Sequence, residues 1–64
     1  MCIATVYTDV KGIVTEVMRD VVSIEAENNQ FRITSMFGEE KYVEGILKRV
    51  DFWKDHSAVI EQSQ

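Results

Sequence analysis

Cys2 is the only cysteine in the chain, and it stands in MCIATVYTD, directly behind Met1. A thiolate is a soft ligand suited to Zn, Cu(I) or Ni. Position 2 adds donors that a mid-chain cysteine lacks. With Met1 removed, the α-amine and the thiolate of Cys2 lie on one residue and close a five-membered chelate ring. With Met1 kept, its amine, the Cys2 amide nitrogen and the Cys2 sulfur form two fused rings. Nitrogen and sulfur donors in one plane suit square-planar Ni(II) or Cu(II). One chain end supplies two or three donors at most, and a two-fold dimer brings two ends together and doubles the count. Cys2 has plainer readings too. A lone thiol often packs as a small hydrophobe, and alternation along CIATVYT sets Cys2 with Ala4 and Val6 on one face. It can also be an incidental exposed thiol. The residues alone leave these readings open.

The other ligating residues are sparse. His56, the only histidine, stands in the polar run KDHSA and reads as a residue of a solvated turn. It becomes an extra ligand only if that turn folds back toward the N-terminus. Met18 and Met36 are thioether donors in principle and core gap-fillers by habit. Asp9, Asp20, Glu39 and Glu40 lack the spacing of a calcium loop. No C-x-x-C, G-x-G-x-x-G or H-E-x-x-H occurs. Asp55 and His56 have no nucleophile tied to them by a motif, so the chain does not read as an enzyme. Phe37, Tyr42, Phe52 and Trp53 read as core or interface residues.

Those residues must be held by a small scaffold. The chain has 64 residues, which reads as one domain over 1–64. A chain this short buries only about 60% of the surface its unfolded form exposes. Such a core supplies roughly 3–5 kcal/mol of net stability, so a staple or a partner chain is expected. One cysteine allows no internal disulfide and fits a reducing compartment. Homodimerisation is therefore the expectation. Eleven acids against seven dispersed bases give a net charge of −4, with no basic patch for a phosphate backbone. No apolar run reaches the roughly 18 residues of a membrane span, and no basic n-region marks a signal peptide. The expected location is the cytoplasm, with neither nucleic acid nor membrane as partner.

Val and Ile dominate the first two thirds, and proline is absent; both favour strands. CIATVYT is a strand, DVKG at 9–12 a turn, and IVTEV a second strand. VVSIEAENNQFRITS reads as a hairpin turning on Asn28-Asn29, a pair that accepts positive φ. That register sets Glu27 against Gln30, Ala26 against Phe31, Glu25 against Arg32, Ile24 against Ile33, and Ser23 against Thr34. Apolar meets apolar, acid meets base and hydroxyl meets hydroxyl, and a slip by one residue spoils every pair. FGEE at 37–40 is another turn. Residues 46–52 read as a strand, with room for one helical turn near 44–48, although Gly45 weakens a helix there by about 1 kcal/mol. KDHS at 54–57 is a turn and AVIEQ a last short strand. The fold expected is all-β: a small, partly open barrel of SH3, OB or Sm type with about six short strands.

Three segments, MCIATV, EVMRDVVSIEAENNQFRITSMFGEE and ILKRVDF, together resemble the CooT-type nickel-binding proteins over residues 1–53. The most telling feature is Met-Cys at the start, followed by a strand of small residues. The resemblance implies a small cytoplasmic accessory protein for nickel insertion into carbon monoxide dehydrogenase. It implies a homodimer holding one Ni(II) at the two Cys2 residues, and only Cys2 carries over as a ligand. The client enzyme or its other maturation proteins are the implied partners. HypC-type hydrogenase maturation chaperones also begin with Met-Cys and form a small β-barrel. They usually show Pro-Gly after the first strand and a longer helical C-terminus, whereas this chain lacks proline and ends at 64. A non-metal Sm- or SH3-like protein-interaction module is the remaining alternative.

Overall fold

The computed structural model of the protein describes residues 3–63. Six strands follow one another: β1 (Ala4–Val10), β2 (Ile13–Glu27), β3 (Gln30–Ser35), β4 (Glu40–Glu44), β5 (Ile46–Asp51) and β6 (Ser57–Gln62). They form one sheet in the order β4-β3-β2-β1-β6-β5. Every pairing is antiparallel except β1 with β6, which is parallel. The fold is all-β, with no helix among the described residues.

The Asn28-Asn29 hairpin has the expected register, pair for pair, from Glu27↔Gln30 to Ser23↔Thr34. Both asparagines adopt positive φ, 46° and 67°, which the type I′ turn requires at its two central residues. Arg32 donates to Glu25 across this ladder, and its second terminal nitrogen lies 3.5 Å from Glu27. The 9–12 turn is also present, tightened to Lys11 and Gly12, with Gly12 N–H donated to Asp9 Oδ1 at 2.8 Å.

Three expectations are revised. IVTEV and VVSIEAE are not separate strands but one 15-residue β2. Register shifts against both neighbours bend it, and Asp20 at φ 57° marks the bend. The first half of β2 pairs with β1 and the second with β3, so one strand turns a corner instead of ending. Residues 40–44 form a strand of their own, β4, against β3. The region 44–48 has no helical turn: Gly45, at φ 140°, passes the chain from β4 to β5.

That glycine also decides the shape. β4 and β5 are the two edges of the sheet, yet they are consecutive in the chain and joined by Gly45 alone. The sheet therefore curls until its edges meet at one corner. No ladder joins β4 to β5, so the sheet is not closed. A Cβ at position 45 would press on the Glu61 carbonyl oxygen and lie 2.8 Å from Ile60 Cγ2.

The curled face encloses Val6, Met18, Val21, Ile33, Val43, Ala58 and Ile60, with Val17, Ile24 and Phe31 packed against them. Ile33, Ile60 and Val6 are fully buried. Truncating one such isoleucine costs about 2–5 kcal/mol, comparable to the whole net stability of roughly 3–5 kcal/mol for a chain of this size. One carboxylate, Asp9, is also buried. Lys48 of β5 donates to its Oδ2 at 2.8 Å. The Lys48 ammonium and the Gly12 N–H together hold the Asp9 carboxyl below its usual range, and Asp9 holds the Lys48 ammonium above its own.

Two outcomes follow from this framework. Gly45→Ala should lower unfolding free energy in urea by at least about 2 kcal/mol, because the new methyl meets backbone and φ 140° is strained for alanine. Asp9→Asn should lower the urea midpoint at pH 7. Since the folded Asp9 pKa is depressed, its contribution is present above the unfolded value and lost as pH falls through the folded one. The gap between wild type and variant should therefore narrow below about pH 4. A gap independent of pH would remove the Asp9 charge from the stability of the fold.

Candidate functional site

Cys2 lies outside the described residues, and description begins at Ile3. What the structure gives is the setting in which the chain enters β1. Ala4 pairs with Val21 beside the bend of β2. Thr5 pairs with Ser57 at the start of β6 and donates its N–H to the His56 carbonyl oxygen at 2.9 Å. The entering chain thus runs between the β2 bend and the loop 52–56. A cleft there is lined by Ile3, Ala4, Thr5, Asp20, Asp55 and His56. The loop that carries the single histidine does fold back toward the N-terminal segment, because β6 runs parallel to β1 and starts beside its beginning.

His56 is exposed, as the sequence reading has it, and sits at φ 49°. Asp20, across the cleft, is the other left-handed residue here. The Asp55 carboxylate is exposed and lies 3.8 Å from Arg49 Nη1. Among the described residues no group of three or more His, Cys, Asp or Glu side chains gathers closely enough to hold a metal ion. The cleft has acidic and imidazole groups at its rim without converging them on one point.

The loop is built by Asp51. Its Oδ1 accepts the N–H groups of Trp53 at 2.8 Å and Lys54 at 3.0 Å, and its Oδ2 accepts Arg49 Nη2 at 3.0 Å. The Lys54 and Trp53 N–H groups, with Arg49 adding less, hold the Asp51 carboxyl below its usual range. This is the side-chain turn that aspartate favours, and it leaves Trp53 88% exposed. The aromatic residues read as core or interface are not core: Phe37, Tyr42, Phe52 and Trp53 are all exposed. Phe37 stands in the turn between β3 and β4, Tyr42 on the edge strand β4, and Phe52 and Trp53 in the Asp51 turn. Met18 is buried in the core as a gap-filler, whereas Met36 is exposed after β3.

A second feature was not legible in the sequence. Where β5 and the far half of β2 fail to pair, the curled sheet opens in an apolar groove of about 400 Å³. Ala4, Val21, Val22, Ser23, Ile24, Ala26 and Phe31 line one side, and Leu47, Val50 and Phe52 of the β5 side line the other. None of these ten residues carries a charge. Ala4 belongs both to this groove and to the cleft at the start of β1. Two signals pointed toward the site in retrospect. Aspartate at position 20 is out of place in a strand and marks the bend; aspartate at 51, ahead of Phe52 and Trp53, marks the turn.

No helix of the structure is long and apolar enough to cross a membrane. No curated protein matches the chain. The family model described as CO dehydrogenase accessory protein CooT matches residues 1–61, from Met1 through β6 almost to its end. With nearly the whole chain spanned by that match, the protein belongs to the CooT family, accessory proteins of CO dehydrogenase that are not themselves enzymes.

Proposed function

We propose that this accessory protein carries Ni(II) for CO dehydrogenase, binding the ion as cargo through Cys2 of two chains in a homodimer. The observation that carries the reading is the family match, which starts at residue 1 and so includes Met1 and Cys2. The donor chemistry supports it. A terminal thiolate with its neighbouring amine or amide nitrogen is a planar nitrogen–sulfur donor set of the kind Ni(II) prefers. In this reading Met1 and Cys2 supply the donors, and because one chain end cannot fill a four-coordinate shell, two ends share the ion. The entry of the chain beside an exposed cleft leaves room for a second end to approach. The client is CO dehydrogenase or another protein of its maturation, met in the cytoplasm. His56, exposed and without a second histidine in the chain, is not required.

Nickel titration followed by native mass spectrometry and ultraviolet-visible spectra tests this. The wild-type protein should take up one Ni(II) per two chains and show thiolate-to-nickel charge-transfer bands. Cys2→Ser should stay folded, lose those bands and bind at least about tenfold more weakly, having lost the soft donor. His56→Ala should bind as the wild type does. Free thiols and α-amines carry their protons at pH 7, so each nickel should release at least two protons in calorimetry across buffers of different ionisation enthalpy. Unchanged nickel affinity in Cys2→Ser, or a proton count near zero, would overturn the reading.

A further inference from the structure

We propose that the free edge of β4 takes an extended basic segment of a partner protein as an added strand, with alternate cationic side chains set against Glu40 and Glu44. The proposal goes beyond the nickel reading and does not depend on it.

The first observation is the state of the two sheet edges. β4 and β5 both lie at an edge, and an unpaired ladder invites a further strand. β5 is blunted. A register shift between Leu47 and Arg49 interrupts its ladder, and its cations Lys48 and Arg49 are engaged by Asp9 and Asp51. β4 has neither feature. It pairs with β3 residue for residue, from Gln30↔Glu44 to Thr34↔Glu40, without a shift.

The second observation is which backbone groups face outward. Ser35 donates its N–H to the Glu39 carbonyl oxygen at 2.8 Å, one residue before β4 begins. In an antiparallel ladder, hydrogen-bonded and non-hydrogen-bonded pairs alternate. Lys41 and Val43 therefore turn their N–H and C=O groups toward β3, and Glu40, Tyr42 and Glu44 turn theirs away from it. The Glu44 carbonyl agrees with this phase, because it accepts Gln62 Nε2 from β6 at 2.8 Å. No second strand receives the outward groups of Glu40 and Tyr42.

The third observation is charge, and it selects the partner. Glu40, Tyr42 and Glu44 are exposed and share the outer face, since Val43 between them is buried. Rows across the sheet run Glu40–Thr34–Ser23, Tyr42–Arg32–Glu25 and Glu44–Gln30–Glu27. Four carboxylates thus surround one guanidinium, and Arg32 is already held by Glu25 and Glu27. Lys41, the base of β4, alternates to the other face and donates to the Val17 carbonyl oxygen. Glu40 and Glu44 form no ion pair among the described residues. An added strand sets its side chains directly opposite theirs. The complementary pattern is Lys or Arg at two positions four apart, with an apolar or aromatic residue midway, over Tyr42. Main-chain bonds supply affinity and the alternate pairs selectivity. The same charges disfavour β4 of a second copy, which about a two-fold axis at Tyr42 sets Glu40 against Glu44 twice. They disfavour nucleic acid, itself an anion, as well.

Titration of the isotope-labelled full chain with the capped peptide Thr-Lys-Val-Phe-Val-Lys-Thr, followed by amide resonances and amide exchange, tests the proposal. The control peptide carries Glu in place of both Lys. The Lys peptide should bind at least about tenfold more tightly than the Glu peptide, and more weakly at high salt. At saturation, amide exchange should slow at Glu40 and Tyr42, whereas Lys41 and Val43, already bonded to β3, should change little. A Glu40→Lys/Glu44→Lys variant, verified as folded by circular dichroism, should lose the Lys peptide and bind the Glu peptide instead. Absence of binding, equal affinity for the two peptides, or an unchanged preference in the variant would overturn the proposal. Protection gained along β5 rather than β4 would also overturn it. Slowing at Glu40 and Tyr42 that grows with protein concentration alone would give the edge to a second copy and overturn it too.

Discussion

The parallel ladder between β1 and β6 is the constraint on which the rest depends. Parallel strands cannot be joined by a tight turn. The chain must leave β1, travel through four strands, and return so that β6 starts where β1 starts. In doing so it wraps the sheet around one core, with Val6 of β1 opposite Ala58 of β6 at its centre, both fully buried. It also delivers the 52–56 loop to the entry of the chain, sealed by the Thr5 N–H to His56 carbonyl bond. The entry of the chain at Ile3–Thr5 is thereby framed by a defined surface.

Two local devices make that wrapping feasible. β2 bends at Asp20 and serves β1 and β3 in turn, so a single strand turns the corner that would otherwise need a loop. Gly45 turns the other corner in one residue, against the backbone of β6, where no side chain fits. The Lys48–Asp9 pair then ties the edge strand β5 to the end of β1, across a sequence separation of 39 residues. A buried carboxylate is tolerated because a backbone N–H and an ammonium both serve it.

The same geometry leaves one side unfinished. A closed barrel has no edges; here β4 and β5 touch only at their shared corner, and apolar side chains of β2, β3 and β5 stay partly in water. For a chain whose core is small, an uncovered strip of this kind is a cost in isolation and an opportunity in an assembly.

The sequence by itself determined what depends on neighbours and on side-chain chemistry. The Asn28-Asn29 hairpin was legible pair for pair, because charge, size and hydroxyl complementarity across a two-residue turn exclude every other register. The all-β class followed from Val and Ile. The tertiary structure alone decided what depends on distant residues. Nothing local says that IVTEV and VVSIEAE are one bent strand, because the bend exists to satisfy two different partners. The exposure of Trp53 and Phe52 hangs on the Asp51 turn and on β5 being an edge. The pairing of Asp9 with Lys48 and the place of His56 beside Thr5 arise from the β1–β6 return, and a single chain position carries no mark of the strand that will come back to lie beside it.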